Sequence, residues 1–294
     1  MPASTNPRPR TWLTTLALTA SALLLGTTVA AAPATAITGG QDDGDEHPNV
    51  AFVLALRDGI PYRCSATLVT PTVLLTAGHC TQDTQGMTLV TFDPVLAEGP
   101  PAPVPAPEDP AAGYTEQELH DAGFLAAVPA THPEHPETFA GKAPRDVGVL
   151  VLTEPVADVE PAPVAPVGRL DGLRQNELTK TLFTEVGYGT RVDKGEDGNS
   201  RPTRYSYPLL RRSAQAPGQK LTEQTLLLNG NIHDTRGTGG SCAGDSGGPT
   251  LLDGEVVGVI SFGYTENCRY IDGIQRVDTL ETRQWLAGYG IPLQ

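Results

Sequence analysis

The sequence predicts an all-β fold, a sandwich or a barrel, and three observations lead there. Short segments rich in Val, Leu, Thr and aromatic residues recur along the chain, each bounded by Gly, Pro, Asp or Asn, the punctuation of strands joined by turns. Helical periodicity is nearly absent over any long window. Gly and Pro together make about a fifth of the chain, enough for many turns yet below the roughly 25–30% of low-complexity sequences.

In chain order, the expected strands cover 50–57, 65–69, 73–76, 88–92, 147–152, 182–186, 205–210, 224–228, 250–252 and 255–262. Two short helices are expected. One covers 115–122. The other covers 279–287, starts from Asp278 as its cap and stops before Gly288. Pro-rich stretches at 94–110 and 155–166 cannot pair as central strands and read as extended surface loops. The second lies near the middle of the chain and is suited to linking two halves. No internal repeat is visible at the level of identity.

The first 36 residues read as a segment to be removed. Arg8 and Arg10 precede an uncharged run from Trp12 to Ala32, and the small residues Ala34-Thr35-Ala36 follow. This is the pattern of a secretory signal peptide cut before Ile37. An N-terminal anchor is the competing reading, but several Thr and a Gly break the run. The expectation is therefore export to the extracellular space, with residues 37–294 folding without a membrane.

Charge and cysteines narrow the function. The 294 residues carry 34 acidic against 20 basic side chains, a net charge of −14. That excludes a general phosphate-binding surface, so no nucleic-acid partner is expected, and it opposes adhesion to anionic membranes. Cys64, Cys80, Cys242 and Cys268 are an even set in an exported chain and read as two disulfides, with three connectivities open. No pair has the spacing of a zinc site, and no metal or cofactor is expected. His132 and His135 have metal-like spacing, but Pro133 and Pro136 deny them a helix, so they read as two loop histidines.

The chemistry concentrates at Gly244-Asp245-Ser246-Gly247-Gly248-Pro249. A serine among glycines suits a nucleophile: a substrate carbonyl can approach closely, and free main-chain N–H groups can face a developing oxyanion. The stretch also fits the G-x-S-x-G elbow of α/β-hydrolases. That fold wants a helix after the serine and a histidine later in the chain, whereas here Pro249 and a strand-like run follow and all six histidines come earlier. A base must therefore lie upstream. His79 stands out in Thr76-Ala77-Gly78-His79-Cys80, directly after a strand and next to a cysteine that can fix its position. Asp146 opens the apolar run Val147-Gly148-Val149-Leu150, where a carboxylate would be half buried and able to fix an imidazole tautomer.

These residues resemble the chymotrypsin/trypsin-like serine peptidase family, most closely its bacterial secreted members. The resemblance runs from Ile37-Thr38-Gly39-Gly40 through the 76–80 segment, Asp146-Val147-Gly148-Val149-Leu150 and Val186-Gly187-Tyr188-Gly189 to Gly244–Pro249 and Ser261-Phe262-Gly263. It implies two six-stranded antiparallel β-barrels with the active site in the cleft between them, the halves meeting near 155–170, and a short C-terminal helix. It implies a serine endopeptidase in which His79 is general base and later acid, Asp146 orients it, and Ser246 attacks. The main-chain N–H groups of Gly244 and Ser246 would form the oxyanion hole. Disulfides Cys64–Cys80 and Cys242–Cys268 are implied, as are peptide or protein substrates and protein inhibitors as partners. A catalytically weak relative serving as a binding module is the alternative.

The resemblance also marks a primary pocket at Gly240, Ser261, Gly263 and Asp272. Gly240 stands where an acidic residue gives trypsins their Lys/Arg preference. Asp272 either faces that pocket from the opposite wall or is a turn residue pointing at water. Ile37 and Asp245 are the implied activation pair, a new N-terminal ammonium against a carboxylate. Gly78 stands where Ala is commoner, and Tyr188 and Phe262 stand where Trp is usual. None of these three changes is expected to touch the chemistry. The Pro-rich 94–110 stretch has no obvious counterpart in the family.

Overall fold

The structure is a computed structural model that describes, besides Met1, residues 37–97, 103–136, 145–194, 202–206, 209–265 and 267–293. The expected signal segment, residues 1–36, lies outside the described residues apart from Met1, as do parts of the Pro-rich 94–110 stretch. Residues 34–294 form one compact unit.

The strands and helices follow in chain order. The first half holds β1 Gln41–Asp42, β2 Val50–Arg57, β3 Ile60–Thr70, β4 Val73–Thr76, α1 Gly78–Thr81, β5 Thr88–Thr91, β6 Val95–Ala97, α2 Glu116–Asp121, β7 Leu125–Thr131 and β8 Gly148–Leu152. The second half holds α3 Gln175–Leu178, β9 Leu182–Gly187, β10 Arg191–Lys194, β11 Pro202–Ser206, β12 Leu209–Leu210, β13 Arg212–Leu221, β14 Thr225–Asn229, β15 Pro249–Leu252, β16 Glu255–Gly263, β17 Ile271–Arg276 and α4 Leu280–Ala287.

Two six-stranded antiparallel barrels result. The first closes in the order β2-β3-β4-β8-β7-β5. The second runs β13-β14-β17-β16-β15-β9 and closes through the β13–β9 pairing, with β1 added to the edge of β13. Successive strand residues point to opposite faces, so each barrel collects one phase of its strands inside. In the first barrel Val53, Ala66, Leu74, Val90, Ala127 and Leu150 form one buried cluster, one residue from each strand. In the second, Phe183, Ala216, Leu226, Leu252, Val257 and Ile274 do the same. The opposite phase of β2 is also buried. Phe52 and Leu54 join Val186, Tyr188, Val259 and Leu286 in a third cluster that ties the two barrels and α4 together. The segment between β8 and β9 straps both barrels, with Ala162 N–H donating to Leu68 O and Ala165 N–H to Val256 O.

Several sequence expectations are corrected here. The terminal helix is capped by Thr279, whose side chain accepts from Thr282 N–H, and not by Asp278. Asp278 is buried and instead accepts from Leu170 N–H and from Arg276. The expected 205–210 strand is divided between β11 and β12, which pair with different partners, β10 and β6. Strands β7, β13 and β17 were not among those expected, and each contains Pro or Gly. In β7, Pro129 lies beyond the register shared with β5, where only β8 is a neighbour. In β13, Pro217 lies beyond the register shared with β14 and pairs only with Leu182 of β9, and Gly218 borders a register shift. Residues 271–273 look like a turn in sequence yet pair on both sides, with β14 and with β16.

Candidate active site

The short helix α1 directly follows β4 and carries His79, 3% exposed. Cys80 is bonded to Cys64 on β3, with Cα atoms 6.2 Å apart, which staples the start of α1 to the barrel wall. Asp146 lies two residues before β8, and β8 pairs with β4, so the barrel register brings the carboxylate beneath the imidazole. Asp146 Oδ2 lies 2.8 Å from His79 Nδ1, and Oδ1 accepts from His79 N–H at 2.8 Å. A carboxylate only accepts, so Nδ1 holds a proton and, in the neutral ring, Nε2 is the acceptor. Ser261 Oγ donates to Asp146 Oδ2, and Asp146 N–H donates to Gln275 Oε1, both across from the second barrel. Burial pushes the Asp146 carboxyl up, but the neighbouring His79 and the hydrogen bonds from His79 and Ser261 outweigh it and hold it below its ordinary value.

Ser246 sits in the loop before β15, and it lines a cleft of about 350 Å³ together with His79, Tyr62, Ser261, Gly263 and Asp272. The loop is fixed on several sides. Ser246 O accepts from Ser65 N–H at 2.8 Å, and Gly244 O accepts from Ser65 Oγ. Cys242 is bonded to Cys268. Gly247 has φ +79°, and a Cβ there would lie 2.0 Å from Thr76 Oγ1 and 2.5 Å from Ser65 O, so only glycine fits. Among the described residues, neither Gly244 N–H nor Ser246 N–H donates to a main-chain carbonyl.

Asp245 is fully buried. Its carboxylate accepts from Gly189 N–H at 2.6 Å and from Cys242 N–H at 2.8 Å. Burial pushes it up to about 6, more than those two bonds pull it down. Ile37 is also fully buried, and the following Thr38 pairs with Gly240 on the segment leading to Cys242.

Asp272 does not point at water. It is 3% exposed, its Oδ2 accepts from Ser241 N–H at 3.1 Å, and it lines the cleft. The missing side chain of Gly240 makes room for Asp272, whose Oδ2 would lie 2.1 Å from a Cβ at Gly240 and 2.3 Å from one at Gly230. Phe262 closes over Gly273, and Gly263 opens to solvent.

Sequence reasoning missed three residues. Tyr62 stands edge-on to His79 with ring centroids 6.3 Å apart and carries Arg57 over its face at 4.1 Å. Nothing in its local sequence sets it apart. His135 is in a loop, as expected, yet its side chain is fully buried and its Nδ1 lies 3.7 Å from Asp146 Oδ1. The signal was Gly78, whose missing Cβ leaves the space for that ring. Glu185 is fully buried in β9, in phase with Phe183 and so on the inner face of the second barrel. An acidic residue in an inward phase was the available sign.

A known family now accounts for this geometry. The profile of the family described as Trypsin matches residues 120–286, more than half of the sequence. The chain belongs to the trypsin family. The match includes Asp146 and Ser246 and begins after His79. Among trypsin-family relatives, "Trypsin" of Saccharopolyspora erythraea is 26% identical over 79% of this chain and 88% of its own length. "Trypsin-4" of Rattus norvegicus is 24% identical over 77% and 84%. In fold, the chain resembles "HL collagenase" with a TM-score of 0.58 and 18% identity, over 84% of this chain and 95% of that one. It also resembles "human heparin binding protein", with a TM-score of 0.57 and 18% identity, over 87% and 98%. At such identity these two likenesses concern the fold alone.

Proposed function

We propose that the protein is a secreted serine endopeptidase that cuts peptide bonds through an acyl-enzyme on Ser246. The observation that carries this reading is the His79 Nδ1 contact to a buried Asp146, made at the edge of the cleft that holds Ser246. Ser246 Oγ attacks the scissile carbonyl and passes its proton to His79 Nε2, while Asp146 stabilises the imidazolium. The two unengaged N–H groups, of Gly244 and Ser246, receive the oxyanion. His79 returns the proton to the leaving amine, and water repeats the sequence to release the acid.

Residues 1–36 act as the export signal, and cleavage before Ile37 frees an ammonium for Asp245. That pairing stabilises the loop bearing Gly244. Asp272 gives the pocket a preference for Lys or Arg beside larger neutral residues. The test is turnover of peptide esters by the purified secreted protein beside Ser246→Ala. Loss of turnover by orders of magnitude supports the reading, and full activity in Ser246→Ala ends it. A binding module predicts no turnover in either protein.

A further inference from the structure

Beneath the primary pocket, two acidic side chains meet inside the second barrel. Asp272 on β17 is in phase with Ile274, and Glu185 on β9 is in phase with Phe183, so both project among the interior residues of that barrel. The two carboxyls lie within hydrogen-bonding reach of each other. Neither oxygen of Glu185 has a donor, although the residue is wholly buried. Asp272 is held by Ser241, through its N–H on Oδ2 and through its hydroxyl.

The surroundings offer no relief to a second negative charge. Asp245, from the loop before Ser246, acts on both carboxyls and is itself acidic. Across the sheet from Glu185, β15 contributes Thr250, whose hydroxyl is also buried without a partner. Arg212 on β13 and Arg63 on β3 act on Asp245, and the ammonium freed at Ile37 would be directed there too. Two buried carboxylates in contact cannot both ionise at modest cost, whereas one proton between them turns the repulsion into a hydrogen bond.

We propose that Glu185 is a specificity-determining residue that keeps a proton and donates it to Asp272, so that the floor of the primary pocket carries one negative charge, which is lost on acidification. This rests on the reading of the cleft as a peptidase pocket. The proton gives the orphaned Glu185 carboxyl a partner and adds a donor to those Asp272 has from Ser241, and of the two acids Asp272 lines the cleft. Burial first, then the acidic neighbours, push both groups above the ordinary carboxylate range, so the charge disappears in mildly acidic rather than strongly acidic solution. A basic substrate side chain is then selected in neutral and alkaline solution, and a neutral one competes on equal terms in acid.

The test is binding of benzamidine, a small aromatic cation, by calorimetry to the secreted Ser246→Ala protein from about pH 5 to about pH 9. Affinity is expected to rise about tenfold per pH unit below the midpoint and then level off. Glu185→Gln keeps an N–H donor for Asp272 but removes the competing acid, so the midpoint moves to lower pH. Asp272→Asn abolishes both the pH dependence and most of the binding. A flat profile in the parent protein, absence of binding at every pH, or an unmoved midpoint in Glu185→Gln overturns the proposal. Ester turnover by the protein with Ser246 intact is measured separately. A turnover-competent enzyme with flat benzamidine binding removes the shared proton alone, and an inert protein with the expected titration removes the peptidase reading alone.

Discussion

His135 lies against the far side of the carboxylate that holds His79: its Nδ1 is 3.7 Å from Asp146 Oδ1, and its ring occupies the space left by Gly78. A Cβ at position 78 would stand 3.0 Å from His135 Nδ1 and 3.1 Å from Val147 N, tighter than ordinary contact. Gly78→Ala is therefore expected to destabilise by about 1 kcal/mol and to lower kcat by displacing Asp146. His135→Ala in the same chain should restore most of both. Thermal melts and ester kinetics on the two variants check this, and an unaffected Gly78→Ala protein would show that the ring yields freely.

The Asp146 carboxylate is held below its ordinary value in part by Ser261. Ser261→Ala removes a hydrogen bond to a charged group, worth about 1.5–3 kcal/mol. The carboxyl then rises, and the acid limb of kcat/KM shifts to higher pH. A group depressed in the fold contributes stability above its unfolded value and loses it as pH falls through the folded one. The variant should therefore be less stable than the parent near neutral pH, with the gap closing as pH falls through the parent's folded value. A pH–rate profile and acid melts measure both effects.

Asp245 behaves in the opposite sense. Burial pushes it up to about 6 in the uncleaved chain, so between the ordinary carboxylate range and that value the folded state holds a proton the unfolded chain has lost. Stability of the uncleaved Ser246→Ala protein should fall as pH rises through this window and then level off. A chain beginning at Ile37 brings an ammonium to Asp245 and should lose this fall. Above the window it should be more stable by about 3 kcal/mol, the usual penalty for a buried ion without its partner. That gain disappears again in alkali as the ammonium, with its value raised by pairing, deprotonates. Parallel melting curves for the two chains across the pH range would contradict the pairing.

Much of this was legible in the sequence because the informative residues are local. Val50–Arg57 and Val73–Thr76 were expected with the bounds that the structure gives. His79 and Ser246 stood out by their small neighbours, and Asp146 by the apolar run it opens. What stayed hidden depends on residues far apart in the chain. Glu185 and Asp272 meet only because β9 and β17 belong to one closed barrel, and Asp272 looked like a turn residue because Gly273 follows it. Pro129 and Pro217 argued against strands in which each is paired on one side only. His135 could be placed only once the fold had set its loop over Gly78.

The most direct test of the proposed triad is covalent labelling of the purified protein with an organophosphorus serine reagent, read by mass spectrometry of its peptides. The account predicts one adduct per chain, on Ser246, formed fast in the native protein and slowed by orders of magnitude in His79→Ala. An unlabelled protein, an adduct on another serine, or equal labelling of the His79→Ala variant would contradict it.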